Sequence, residues 1–177
     1  MSGELILNMR QLEKPIISAI NGIAAGAGAV IALASDFRLF AKEATIAFLF
    51  QKVGLTAADM GAVSLLPKVV GTARATELLM LGDKIDAEEA HRIGLANKVV
   101  DLADLEKESL ALAERLATSA TLALGLTKRL INNEFHMDLA SAIEQEAIAQ
   151  ALMMQTRDYK EFHAAFSEKR KPKFEGR

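Results

Sequence analysis

Lys14–Asp36, KPIISAINGIAAGAGAVIALASD, passes from a short β-branched run through a glycine-alanine turn into an apolar helix. Ile16, Ile17 and Ile20 favour a buried strand. Gly22, Gly26 and Gly28 permit tight backbone geometry, and Ala29 to Ala34 continue as a helix with no bulky polar side chain. A helix that begins this way leaves its first N–H groups without intrahelical acceptors, facing whatever sits at the turn, and so builds a backbone anion site. The alternative is that the three glycines serve only close packing of helix on sheet. A dinucleotide fingerprint is not completed, because Gly26, Gly28 and Ile31 do not make G-x-G-x-x-G.

Around this segment the chain reads as α/β. Met1 to Glu13 has the pattern of an amphipathic helix end, with Leu5, Met9 and Leu12 at helical spacing and no cap at its start. Phe37 to Ala41 and Thr45 to Leu49 read as short strands, and a loop with Gly54 and Gly61 leads into Ser64 to Val70. Thr72 is placed to cap a helix through Leu81 that Gly82 stops, and Asp86 to cap the next, with His91 and Arg92 in its last turn before Gly94. From Asp104 the pattern is almost entirely helical. Its apolar stripes are Leu105, Leu110, Leu112 and Leu116; Leu122, Leu126, Leu130 and Ile131; and Leu139, Ile143, Ile148, Leu152 and Met153. Three helices without strands are expected to form either ordinary core or an assembly module.

Composition narrows the function classes. A chain of 177 residues fits one domain, or one domain with a helical appendage. Hydrophobic residues at 51%, charged residues at 25% and no block of like charge make it globular and not disordered. A net charge of −2 gives no support for a nucleic-acid partner, which normally meets a clustered basic face. The absence of cysteine excludes disulfides, thiolate zinc sites and thiol catalysis. No apolar run reaches the ~18–20 residues of a membrane span, and Glu4 before a short apolar patch is unlike a secretory signal, so a cytoplasmic location is expected. His91, His136 and His163 lie far apart, which indicates no metal site, and no serine sits in a nucleophile elbow.

Five ordered blocks carry a resemblance: KPIISAINGIAAGAG, SDFRLFAKEATIAF, GLTAADMGAVSLLPKVVG, TARATELLMLGDKIDAEEAHRIGLANKVV and AAFSEKRKPKF. From Lys14 to Phe174 the chain resembles the crotonase superfamily of enoyl-CoA hydratases and isomerases. The resemblance implies a partial ββα spiral over residues 1–101 and a helical trimerisation or lid module over 102–177. It implies an acyl-CoA substrate with no separate cofactor, a trimer or hexamer, and an amino-terminal part, carrying further ββα units, that precedes this chain in relatives. Two backbone N–H groups in such proteins hold the thioester oxygen as it becomes an enolate, and one lost donor costs roughly 10²–10³ in rate. The motif puts the second donor on Ala27, with Ala25, Gly26 and Gly28 around the substrate, and the first in the preceding part.

Hydratases of the family use two glutamates to move the proton and the water. Carried over, these positions are Val30 and Phe50, and neither side chain can transfer a proton. Asp59, in GLTAADMG, is similar to the single acid/base aspartate of dienoyl-CoA isomerases; a cap or turn role is the alternative. Phe48, Leu49 and Phe50 fall where relatives line an apolar pocket, which competes with ordinary core, and the resemblance also puts Leu55 at the substrate. Phe166 and Lys169 match positions that touch CoA, in a stretch that otherwise reads as a solvated basic tail. Three functions follow: a hydratase or isomerase, a non-catalytic remnant that assembles with relatives, or a dienoyl-CoA isomerase, decarboxylase or hydrolase using Asp59.

Overall fold

The computed structural model describes residues 2–57 and 59–177. The chain divides into two units, Met1–Arg10 with Ile16–Ala111, and Gln11–Pro15 with Leu112–Arg177.

The first unit contains α1 (Ser2–Gln11), β1 (Ile17–Ile20), β2 (Ile23–Ala25), α2 (Ala27–Ala34), β3 (Phe37–Ala41), β4 (Thr45–Ala47), α3 (Ala62–Val70), α4 (Thr72–Leu81), β5 (Ile85–Asp86), α5 (Ala87–Arg92) and β6 (Lys98–Val100). A 3-10 turn at Phe50–Val53 follows β4. One sheet has the order β1-β3-β6 and the other β2-β4-β5. All pairs are parallel except β4 with β5. Ile17 is in register with Phe37, and Ile23 with Thr45, so the first two passes of the chain each add one strand to each sheet before helices return it, while in the third α5 lies between β5 and β6. This is the ββα spiral expected from the sequence. Its core is aliphatic and aromatic, with Val30, Phe40, Ile46, Phe48, Leu66 and Leu95 essentially sealed from solvent. Ala29 and Ala34 on α2 are also fully buried, and such small side chains let the helix backbone lie close to its neighbours.

The second unit is helical. It comprises α7 (Thr121–Glu134), α8 (Leu139–Met153) and α9 (Arg157–Ser167), preceded by α6 (Leu102–Ala117), whose early residues belong to the first unit. Gly125 sits at a close approach, where a Cβ would lie 3.2 Å from the Glu13 carbonyl oxygen, tighter than ordinary contact. Nearby, the buried Lys128 ammonium donates to the Lys14 carbonyl at 3.1 Å. After α9 the chain folds back, and the buried Asp158 carboxylate accepts the N–H groups of Glu175 and Gly176 at 2.7 and 2.9 Å.

Several local expectations change. Ile6 is the buried residue of α1, while Leu5 and Leu12 are exposed, because the stripe turned inward is one position away from the one proposed; Met1 lies outside the described residues. β4 ends at Ala47 and not Leu49, since Leu49 (φ −79°, ψ 8°) already leads into the 3-10 turn. Thr72 is the first residue of α4; the cap is Gly71, whose φ of 76° and ψ of 159° suit glycine. Gly82 and Asp86 hold their expected places, Gly82 left-handed at the end of α4 and Asp86 accepting the Glu89 N–H at 2.8 Å. The third apolar stripe is not core of this chain: Leu139, Ile143, Ile148 and Leu152 are exposed, and Ala142 and Ala149 are the buried residues of α8.

Candidate functional site

The amino-terminal turn of α2 begins where β2 ends. Ala25 pairs with Ala47, and the next residue, Gly26, donates its N–H to the Ala47 carbonyl at 3.1 Å. Gly26 has φ 53° and ψ −120°, a conformation an L side chain rarely adopts. The first i to i−4 bond of α2 runs from the Val30 N–H to the Gly26 carbonyl at 3.2 Å. The N–H groups of Ala27, Gly28 and Ala29 therefore precede the helix's own ladder. Ala27 and Gly28 are exposed, and Ala27 is not among the positive-φ residues. A Cβ built on Gly22, Gly26 or Gly28 meets nothing within 4 Å, so close packing is not what these glycines serve. The turn presents backbone donors to open space.

Neither Val30 nor Phe50 carries a group that can transfer a proton. Val30 is fully buried in α2 and Phe50 is buried at the start of the 3-10 turn. Phe48 is buried as well, while Leu55 is exposed on the following loop, its N–H donating to the Phe50 carbonyl at 2.9 Å. Asp59 is exposed, and its carboxylate accepts the Met60 N–H at 2.8 Å. It does not cap α3, whose cap is Gly61. Met60 and Gly61 both take left-handed backbone, at φ 51° and 83°, with the Met60 side chain buried.

The far end of α2 holds residues that sequence reasoning overlooked. Arg38 is buried and donates from Nε to the Leu95 carbonyl at 2.6 Å, and from Nη1 to the carbonyls of Leu33 and Ser35. Arg10 donates to the Ala34 carbonyl at 3.0 Å and pairs with Asp36 at 3.2 Å. Burial, then Arg10, push the Arg38 guanidinium below its ordinary value, and Asp36 opposes them. The only signal in sequence is a lone arginine inside the apolar strand FRLFA.

In the second unit Phe166 is exposed and stacks on Phe162 with ring centres 6.2 Å apart. Lys169 follows with φ 55°. The same unit contains an apolar cleft of about 180 Å³ lined by Leu122, Met153, Tyr159, Phe162 and Phe174, among others. Among the described residues, no three His, Asp or Glu side chains cluster as metal ligands, and no helix is long and apolar enough to cross a membrane.

A ββα spiral whose glycine turn offers helix N–H groups to open space defines a crotonase-type protein. The family model "Enoyl-CoA hydratase/isomerase" matches residues 2–177, and the chain belongs to that family. It is 41% identical over 173 residues to 1,2-epoxyphenylacetyl-CoA isomerase of Escherichia coli (strain K12), an alignment covering 98% of this chain and 66% of that protein. It is 40% identical to crotonyl-CoA hydratase of Syntrophomonas wolfei, over 92% of this chain and 62% of that protein. The crystal structure of a Streptomyces coelicolor A3(2) protein assigned as an enoyl-CoA hydratase superposes with a TM-score of 0.97 at 49% identity, over 99% of this chain and 64% of the other. The chain thus spans less than two thirds of the length of these relatives.

Proposed function

We propose that this protein binds an acyl-CoA thioester and polarises its carbonyl with the Ala27 N–H, stabilising the enolate. The observation that carries the reading is the turn at Gly26. Its own N–H is spent on Ala47, Ala27 is exposed, and the Ala27 N–H precedes the helix ladder. Such preorganised donors are worth most where negative charge develops in the reaction. Ala25, Gly26 and Gly28 form the backbone wall of the site, and Phe48, Phe50 and Leu55 lie on the acyl side.

Val30 and Phe50 stand where the resemblance puts the hydratase glutamates, so hydration by a carboxylate pair is not the proposed reaction. Enolate chemistry with Asp59 as the single acid/base fits the residues better. Isomerisation is the nearest case, and one close relative is named for an isomerase reaction on a CoA ester. The thioester is the substrate and no resident cofactor or metal takes part. The protein works in the cytoplasm as a trimer or hexamer.

The same buried Val30 and Phe50 favour a second reading, in which the chain is an assembly partner that binds acyl-CoA without turning it over. The test is an ultraviolet difference spectrum with acetoacetyl-CoA, whose enolate absorbs apart from its keto form. An enolate band shows a working pair of donors and carries the first reading. A folded protein with no band leaves the assembly-partner reading.

A further inference from the structure

We infer that Arg38 is a positioning residue for the thioester site: together with Arg10 it offsets the carboxyl-terminal pole of α2, strengthening the pull of the Ala27 end on an anion. This rests on the reading of Ala27 as the thioester donor.

An eight-residue helix is only ~12 Å long at ~1.5 Å per residue. Its peptide dipoles place roughly half a positive charge at the start and half a negative charge at the end. In so short a helix the negative pole subtracts from the attraction felt at the start. The terminal carbonyls of α2 are fully occupied. Ile31 accepts from the Ser35 hydroxyl at 3.1 Å, Ala32 from the Ser35 N–H at 3.2 Å, Leu33 from Arg38 at 3.3 Å and Ala34 from Arg10 at 3.0 Å. Two of these four donors are cations. With Asp36 beside Arg10, the three side chains carry one net positive charge against the negative pole. Among the described residues the Arg38 side chain donates to three backbone carbonyls. A guanidinium buried on carbonyls is costly to desolvate, and its bonds to Leu33 and Leu95 also tie α2 to the loop before β6.

The experiment reads the fraction of bound acetoacetyl-CoA present as enolate at one pH below its ionisation, in the full chain and in Arg38→Met, Arg38→Lys and Asp36→Asn. One unit charge ~15 Å away at an effective dielectric of ~20 changes an anion's equilibrium about five- to tenfold. Arg38→Met is expected to lower the enolate fraction by about that factor, while Arg38→Lys keeps most of it. Asp36→Asn, whose amide oxygen can still accept the Ile16 N–H, is expected to raise it. The opposite sign of Asp36→Asn is the discriminating result, because a merely structural role predicts loss in every variant. If Arg38→Met does not fold, Asp36→Asn decides alone: a rise supports the inference, and a fall or no change overturns it. A wild-type band that Arg38→Met leaves intact overturns the inference and spares the thioester reading. No band in the wild type overturns both.

Discussion

The Gly26 N–H is bonded to the Ala47 carbonyl at 3.1 Å, which locks the end of β2 to β4 and fixes the direction in which α2 departs. The bond holds Gly26 at φ 53° and ψ −120° although the space beside it is empty. The backbone angle therefore demands glycine at this position, and crowding does not. Gly26→Ala is expected to destabilise by about 1–3 kcal/mol. Gly28 lies within α2 with equally open space and no positive φ, so Gly28→Ala is expected to stabilise by about 0.4–1 kcal/mol through the unfolded chain. Urea midpoints at unchanged slope measure both; equal effects of the two substitutions would show that φ is not the controlling variable.

Asp59 separates turn from catalyst. Its carboxylate accepts the neighbouring Met60 N–H, a bond the amide oxygen of asparagine can also make. Asp59→Asn should therefore leave the unfolding midpoint unchanged. As the single acid/base its loss should lower isomerase turnover of unsaturated acyl-CoA by about 10²–10⁴, with acetoacetyl-CoA binding retained. Turnover equal to wild type would make Asp59 a turn residue only.

How much of this was readable from sequence depends on what each feature rests on. The strand, turn and helix at 14–36 were legible because β-branched spacing, glycines and alanines all favour the same conformation there. Asp86 and Gly82 were legible because a cap is a local bond. Thr72 misled because it is already the first helical residue and the cap falls on Gly71, with a backbone angle that composition does not announce. α9 was missed although Tyr159, Phe162 and Phe166 stand at i, i+3 and i+7, because Arg157, Asp158, Lys160 and Glu161 make the segment polar as a whole. On α8 the large aliphatics were natural core candidates, yet the buried face is alanine. In the candidate site the motif alone points to Ala27 as the proposed donor. Arg38 could not be singled out, because its contacts are with three carbonyls brought together only by the fold.

The reversal on α8 leads to a test of assembly. Apolar residues are spread round the helix and not confined to one face, which suits contacts on more than one side, but Leu139, Ile143, Ile148 and Leu152 are exposed. Exposed apolar groups of this extent mark interaction surfaces. If the proposed trimer or hexamer buries this helix, Ile143→Asp should shift the mass from light scattering to a smaller species without loss of helical circular dichroism. An unchanged mass would put the interface elsewhere.

The segment after α9 supplies a pH test with a definite sign. Glu161 accepts hydrogen bonds from the Arg170 guanidinium and, at 2.7 Å, from the Lys173 N–H, which lower its carboxyl from 4.5 to about 2, the Arg170 bond being the larger cause. A carboxyl depressed in the folded state contributes stability that is fully present above its unfolded value and lost as pH falls through the folded value. Attachment of Lys173 to α9 should therefore hold at pH 5 and weaken as pH drops from 4.5 toward 2. Amide exchange at Lys173, expressed as protection relative to an unstructured chain, is expected to fall over that window in the wild type and to be low throughout in Glu161→Ala. Asp158 holds Glu175 and Gly176 independently, so their protection should survive the substitution. Protection at Lys173 that persists in Glu161→Ala would show that Glu161 is not the anchor.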